Sequence, residues 1–312
     1  MVILGIESSH DDTSIAILKD NKIIKNIILS QIEIHKKYGG TVPEIASREH
    51  VHNIAFIFEQ IKAYIELSEI DYIAYTNKPG LIGALQIGYL FAKAIAITLE
   101  KPLLPINHLM GHFFSVAIDN EIIYPALGLL VSGGHSQIIL AKNSQNIEII
   151  GETQDDAIGE VYDKLARKLN LGFPGGPIID QIYHSLDDKF ESNIKLTTPK
   201  IINEFDFSFS GIKTQVINLI NNYQNKKIEL PINDIVFSFQ KTIVNYLLNI
   251  FKKALLKYNV KSITLSGGVS ANKYLRKKFL SLHTNALVPN FEYCTDNGAM
   301  IAKAAQIIYK LK

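Results

Sequence analysis

The stretch ALGLLVSGGHSQIILAKNSQNIEIIG, residues 126–151, repeats a pattern that the chain has already used once. Ala126 to Val131 reads as a short, wholly apolar strand, and Ser132-Gly133-Gly134-His135 as a polar turn. Ser136 to Ala141 reads as a second strand, Lys142 to Gln145 as a tight turn and Asn146 to Gly151 as a third strand. The N-terminus has the same order: strand Val2 to Glu7, polar turn Ser8-Ser9-His10-Asp11-Asp12-Thr13, strand Ser14 to Leu18, turn Lys19-Asp20-Asn21, strand Lys22 to Leu29.

Each meander leads into α/β units. After Tyr38-Gly39-Gly40-Thr41-Val42-Pro43 a helix is expected to about Leu67, because Ile54, Ala55, Phe58, Ile61 and Ile65 recur at helical spacing. Asp71 to Tyr75 follows as a strand. Pro79-Gly80-Leu81-Ile82-Gly83 opens a helix to about Leu99, whose Gly83, Ala84 and Gly88 suit close packing on a sheet. Leu103 to Ile106 is the next strand. In the second half, helices are expected at Asp155 to Leu169, from Gly176, at Gly211 to Asn222 and at Ile232 to Tyr258. Strand Ser262 to Leu265, turn Ser266-Gly267-Gly268 and helix Ala271 to Leu280 come next, and Asn297 begins the last helix. Residues 185–205 are polar and without pattern. This is an α/β fold with an internal duplication, two lobes facing each other across a cleft. It is the two-lobed layout of the actin-like ATPase, sugar kinase and Hsp70 fold. The lobes are expected at 1–112 and 113–312, with the last helix, from about 297, packing back on the first.

Composition narrows the class. With 312 residues, 47% hydrophobic and 20% charged, the chain can bury a full core. A net charge of +2 advertises no large basic surface. Arg48, Arg167 and Arg276 are its arginines, so most basic residues are lysines of a solvated surface. Cys294 is the single cysteine, which excludes an internal disulfide and fits a reducing cytosol. The start lacks the features of a signal peptide, and no run of about 18 or more apolar residues is expected to cross a membrane.

Asn107-His108-Leu109-Met110-Gly111-His112 carries the clearest chemistry. Histidines at i and i+4 lie on one face of a helix and offer two metal ligands. Asp296, in Cys294-Thr295-Asp296-Asn297-Gly298, is the best third ligand. Two histidines and a carboxylate with open positions form the ligand set of non-haem iron or catalytic zinc. The plainer alternative is a pair of surface or capping histidines, since Leu109 stands where the zinc-protease helix needs Glu.

Ser132-Gly133-Gly134 and Ser266-Gly267-Gly268 both follow buried strands. Their glycines are expected to turn with positive φ and to present N–H groups to an anion, the second turn leading into a helix N-terminus. Pro174-Gly175-Gly176-Pro177 leaves Gly176 open to backbone approach, with Asp180 one turn on. Asp163 can accept from ribose hydroxyls, and Asn272 can cap its helix or touch a nucleotide. Each aspartate taken singly is also read as a solvated helix position. Asp11 and Asp12 lie in the first turn, where they serve as turn residues or handle phosphate.

Taken together, the motifs resemble the tRNA N6-adenosine threonylcarbamoyltransferase family (bacterial TsaD, once labelled O-sialoglycoprotein endopeptidase) over nearly the whole chain. The resemblance runs through Gly5-Ile6-Glu7-Ser8-Ser9 with Asp11-Asp12, Tyr38-Gly39-Gly40 with Pro43-Glu44, and Ala46-Ser47-Arg48-Glu49-His50. It continues through Pro79-Gly80-Leu81, Asn107-His108 to His112, Leu130-Val131-Ser132-Gly133-Gly134-His135 and Asp155-Asp156-Ala157 to Asp163-Lys164. Phe173 to Pro177, Phe205 to Thr214, Ser238-Phe239-Gln240, Ser266 to Val269 with Ala271-Asn272, and Asp296 to Met300 complete it. His10 stands where the family usually has Cys, and Lys78 where a Gly usually precedes Pro79.

The resemblance implies metal ligands at His108, His112 and Asp296. It implies an adenylate site at Leu130, Val131, Ser132, Gly133, Gly134, Asp163, Gly176, Asp180 and Asn272. It further implies one divalent metal, Fe2+ ahead of Zn2+, and a cytoplasmic enzyme working with TsaB and TsaE on tRNA and threonylcarbamoyl-adenylate. The implied reaction moves the threonylcarbamoyl group to N6 of the adenosine 3′ of the anticodon, in tRNAs reading codons that begin with A, and releases AMP. No catalytic residue is assigned; Asp11 and Asp12 are candidates for the base. The rivals are a kinase or ATPase of the same fold, a metalloprotease, and a non-catalytic binding subunit.

Overall fold

The computed structural model describes residues 1–199 and 203–311. In chain order the first elements are β1 (Val2–Glu7), β2 (Asp12–Lys19), β3 (Lys22–Ser30), α1 (Ile32–His35), α2 (Pro43–Ile61), β4 (Tyr72–Lys78), α3 (Ile82–Leu99), β5 (Leu103–Asn107) and α4 (His108–Ser115). Then come β6 (Ala126–Val131), β7 (Ser136–Ala141), β8 (Ile147–Glu152), α5 (Ile158–Lys168), α6 (Gly175–Ser185), α7 (Ser210–Asn225) and α8 (Ile232–Lys257). The chain closes with β9 (Ser262–Ser266), α9 (Lys273–Leu280), β10 (Ala286–Leu287) and α10 (Gly298–Ile308).

Two compact units result. The first is Met1–Ile122 with Pro289–Lys312, and the second is Ile123–Val288. The division falls after Ile122 rather than after His112.

The first unit has a sheet ordered β3-β2-β1-β4-β5, and the second one ordered β10-β9-β6-β7-β8. In each, the opening strand pairs antiparallel with the next and parallel with a later one: β1 with β2 and β4, β6 with β7 and β9. The duplication read from the two meanders therefore extends to the parallel strands. Every residue of β1, β6 and β7 is buried, which is why these strands lack an alternating pattern.

Several boundaries differ from the sequence reading. Helix α2 stops at Ile61, not near Leu67. Ile65 still reaches the core from the turn beyond, so apolar spacing outruns the helix. Helix α9 starts at Lys273, because Gly268–Ala271 forms a 3-10 turn and Asn272 caps the helix behind it. Two-residue β10 and four-residue α1 are too short to show a period. Of the unpatterned stretch 185–205, residues 200–202 lie outside the described residues. Contrary to the expectation that no such stretch exists, α3 is long and apolar enough to cross a membrane by length and composition. Its Ala84, Gly88, Ala92, Ile95 and Ala96 are buried in the first unit.

Helix α10 returns to the first sheet through glycine. A Cβ at Gly5 of β1 would collide with the carbonyl oxygen of Gly298, and one at Gly298 would lie 2.6 Å from the Gly5 oxygen. Ser14 Oγ accepts from the Gly298 N–H at 2.8 Å, while Asn297 Oδ1 caps the helix by accepting from Met300 N. This close seating places Asp296, just before the cap, beside α4.

Candidate metal centre and nucleotide site

Asn107 ends β5 and caps α4, its Oδ1 accepting from the N–H groups of Leu109 at 2.9 Å and Met110 at 3.3 Å. The cap fixes the helix entry and so directs His108 and His112 inward. Both are buried, with ring centroids 4.6 Å apart and planes at 78°. Gly111 has no side chain because α10 lies there: a Cβ would stand 2.9 Å from Ile301 Cδ1. Asp296 Oδ1 is 3.0 Å from His112 Nε2 and 3.6 Å from His108 Nε2.

The ligand atoms of His108, His112 and Asp296 all lie within 4.8 Å of one another. Donors about 2.1 Å from a tetrahedral ion stand roughly 3.4 Å apart, so the two carboxylate–imidazole distances fit a shared ion. Sequence spacing and the distant carboxylate thus converge in one cluster, and the histidines are not surface or capping residues.

Behind this cluster lies Glu7, which the sequence reading placed in a strand and in a motif but gave no task. It is fully buried. Its Oε2 lies 3.1 Å from His108 Nδ1 and accepts from Thr76 Oγ1 at 2.6 Å, and its Oε1 accepts from Ser9 N at 2.5 Å. Ser9 Oγ is a further 3.0 Å neighbour of His108 Nδ1. A histidine whose second nitrogen faces a carboxylate keeps its first nitrogen free for a metal. The one available signal was a charged residue closing a strand of apolar residues.

In the metal-free site, burial pushes the His108 imidazole down, but the Asp296 and Glu7 carboxylates outweigh it and hold the ring up at about 9. Burial raises Asp296 and Glu7, yet the facing imidazoles hold both carboxyls below the usual range.

The first turn carries the two aspartates. Asp11 Oδ1 lies 2.7 Å from His10 Nδ1, and its Oδ2 accepts from Thr41 Oγ1 at 3.3 Å. Burial lowers the His10 imidazole, but the facing Asp11 carboxylate outweighs it and raises the ring above its usual range. Asp12 is different: its Oδ1 is buried without a hydrogen-bond partner among the described residues. Burial first, then repulsion from Asp296, pushes its carboxyl up to about 7. The turn beyond Lys78 docks nearby through backbone contact, Leu81 N donating to the Ser9 oxygen at 2.8 Å.

In the second unit, β6 and β9 run parallel with Leu130 beside Ser266, so both glycine turns leave the same end of the sheet. Leu130 and Val131 are buried strand residues, and Ser132 closes the first turn: its N–H donates to the His135 oxygen at 2.8 Å, and its Oγ accepts from His135 N at 3.1 Å. Positive φ, expected at these glycines, occurs only at Gly267, at 87°. The hydrogen-bonded 132–135 turn needs none.

The glycines separate into two kinds. A Cβ at Gly267 would strike the Val131 carbonyl oxygen; at Gly175, the Tyr162 oxygen; and at Gly159 it would lie 2.7 Å from the Ser132 oxygen. These three allow backbones to pack. At Gly133, Gly134, Gly176 and Gly268 a Cβ would meet nothing within 4 Å. Those four leave backbone open to a ligand.

The expected polar residues hold this arrangement. Asp163 Oδ1 accepts from Gly175 N at 2.7 Å, at the start of α6. Asp180 Oδ2 accepts from Lys273 N at 3.1 Å, and Asn272 Oδ1 from Leu275 N at 2.9 Å, both at the start of α9. Nearby, Asp155 and Asp156 anchor the start of α7 by accepting from Phe209 N and Ser210 Oγ.

A family model, TsaD: tRNA N6-adenosine threonylcarbamoyltransferase, matches residues 22–303. The chain belongs to this family. The protein of that name from Mycoplasmopsis synoviae (strain 53) is 61% identical over 311 residues, covering 99% of each chain. The one from Fusobacterium nucleatum subsp. nucleatum is 49% identical, covering 100% of this chain and 92% of the relative. The activity class follows from the family: a transferase that threonylcarbamoylates tRNA. Among solved structures, HypF of T. kodakarensis has a TM-score of 0.67 at 12% identity, over 99% of this chain and 47% of that one. Component A of the (R)-2-hydroxyglutaryl-CoA dehydratase of Acidaminococcus fermentans has a TM-score of 0.59 at 14% identity, over 98% and 96%. These two likenesses concern the fold alone, and the fold is the duplicated actin-like one expected from the meanders.

Proposed function

We propose that the chain transfers the threonylcarbamoyl group from threonylcarbamoyl-adenylate to N6 of the adenosine 3′ of the anticodon, in tRNAs reading codons that begin with A. The amine nitrogen forms a bond to the carbamoyl carbon. The bond from that carbon to the phosphate oxygen breaks, and AMP leaves with the electron pair. The observation that carries this reading is the His108–His112–Asp296 cluster, for which a kinase of this fold has no use.

The adenylate docks on the second unit. Gly133, Gly134 and Gly176 present open backbone to its phosphate, Gly176 from the first turn of α6. Leu130 to Ser132 shape the base of this seat, while Asp163, Asp180 and Asn272 face its sugar and base. In the first unit, His108, His112 and Asp296 would hold one divalent ion; we infer iron(II) ahead of zinc, both of which accept this ligand set. When bound there it would supply Lewis-acid stabilisation of negative oxygen. Glu7 keeps His108 oriented, and Asp11 and Asp12 of the first turn are the candidates to take the proton lost by the amine. The protease reading lacks its His-Glu-x-x-His helix, since Leu109 follows His108, and Glu7 faces protein donors.

The tRNA substrate and the single buried cysteine suit the cytoplasm. TsaB and TsaE are the partners we infer. The outward side of α3, with Ile82 78%, Leu90 59% and Ile97 67% exposed, is an apolar strip fit for a pairing subunit. The test is a single turnover of chain, pairing subunit, synthetic adenylate and unmodified tRNA.

A further inference from the structure

Helix α8 buries one face, and Gln240 sits in it, fully buried beside Val236, Phe239, Ile243 and Val244. A buried primary amide is costly unless its donors and acceptor are met. Here they are met from two other helices. Tyr162 Oη of α5 donates to Gln240 Oε1 at 2.6 Å, and Gln240 Nε2 donates to Asp180 Oδ1 of α6 at 3.0 Å. The amide orientation is dictated by chemistry, because a carboxylate only accepts and must face the NH2 group. Asp180 Oδ2 in turn takes the Lys273 N–H at the start of α9. The more exposed His184 approaches Oδ1 at 3.5 Å.

We propose that Gln240 is a positioning residue for the nucleotide site, fixing Asp180 so that its carboxylate meets a bound adenylate at a set angle. The proposal rests on the reading of the second unit as the adenylate seat. A carboxylate oxygen has two accepting directions. The two N–H donors, from Gln240 and Lys273, use one on each, which orients the group and leaves it able to accept from a nucleotide. An apolar side chain could fill the same volume but would leave the Tyr162 hydroxyl and Asp180 Oδ1 without this partner. What the amide adds is a carboxylate that cannot rotate, tied by Lys273 to the helix that Asn272 caps. The line Tyr162–Gln240–Asp180 thus joins α5, α8, α6 and the start of α9.

The test uses the full chain with AMP as probe, binding measured by calorimetry and folding by thermal unfolding. Gln240→Glu sets two carboxylates face to face and should weaken AMP about ten-fold or more. The loss should deepen as pH rises, since a proton shared between the two carboxyls relieves it. Combining Asp180→Asn with Gln240→Glu reverses donor and acceptor. The amide introduced on α6 gives its NH2 to the carboxylate introduced on α8, and accepts from the Lys273 N–H with its oxygen. That double variant keeps an acceptor towards the nucleotide without its charge, and should bind AMP better than Gln240→Glu while staying weaker than the parent. Gln240→Met, which introduces no charge but leaves the Tyr162 hydroxyl and Asp180 Oδ1 without this partner, should lower the unfolding midpoint with the chain still folded, while AMP binding weakens. In turnover, KM for the adenylate should rise with kcat little changed. If all variants bind AMP as the parent does, or the double variant is no better than Gln240→Glu, the proposal is wrong. If Asp180→Ala loses AMP while Gln240→Glu and Gln240→Met keep it, the positioning role alone is overturned. If the parent does not bind AMP, the adenylate seat itself falls, and the proposal with it.

Discussion

Glu7 Oε2 lies 3.1 Å from His108 Nδ1, joining the end of β1 to the start of α4. It makes the candidate metal cluster deeper than its three candidate ligands. The carboxylate holds the ring from behind, and the ring presents Nε2 to the position that Asp296 also faces.

Glu7→Gln keeps the size of this group and removes its charge. Metal affinity should fall about 10- to 100-fold, as for other carboxylates behind metal-bound histidines, with the protein still folded. Competition against a chelator of known affinity measures this. Unchanged affinity would mean that Glu7 serves only the fold.

Protons and metal compete for His108. Its folded value of about 9 in the metal-free site lies above the ordinary value of 6.5. The ring therefore stabilises the metal-free fold fully below about 6.5, and this stabilisation is lost as pH rises through about 9. Metal binding displaces the same proton, so metal affinity should climb over that window. Unfolding midpoints with and without chelator, taken across the window, should diverge as pH increases. Parallel curves would contradict the proton competition.

Gly175 and Gly176 are adjacent and should behave oppositely. Gly175→Ala forces a Cβ towards the Tyr162 oxygen and Ala166 Cβ, costing about 1–3 kcal/mol of stability. Gly176→Ala meets open space, so stability should hold while AMP binding weakens. Calorimetry and thermal unfolding of both variants settle the pair; loss of stability at Gly176 with AMP binding kept would reverse the assignment.

Much of this was legible in the sequence. Strand, turn, strand patterns marked both meanders, because buried strands and turn residues leave local signals. The i, i+4 histidines and Asp296 were found because ligand residue types are few. What stayed hidden was long-range. Glu7 meets His108 only through the pairing of β1 with β4 and of β4 with β5. Gln240 meets Asp180 only because α6 packs on α8. The division of the glycines into packing and open kinds depends on what stands opposite each one, which no local spacing records. Ile65 misled for the converse reason, keeping helical spacing after the helix had ended.

Asp12 is one of the two candidates for taking the amine proton, its carboxyl pushed up to about 7 by burial and then by repulsion from Asp296. Asp12→Asn should slow the transfer step by a factor of about 10² to 10⁴. The parent rate should rise with pH through the titration of Asp12, which an ion on Asp296 brings below about 7 by cancelling the repulsion, and that limb should vanish in the variant. A variant that keeps both rate and limb places the base elsewhere.

The central claim is that the activated carbonyl arrives ready-made, so the bond-forming step needs no ATP. One measurement decides it: a single turnover of the chain with its pairing subunit, synthetic threonylcarbamoyl-adenylate and unmodified tRNA, without ATP. Modified adenosine and AMP should form in equal amounts, up to one equivalent of enzyme. If no product forms until ATP is added, and the γ-phosphate label then appears on substrate, the chain is a kinase and the account is contradicted.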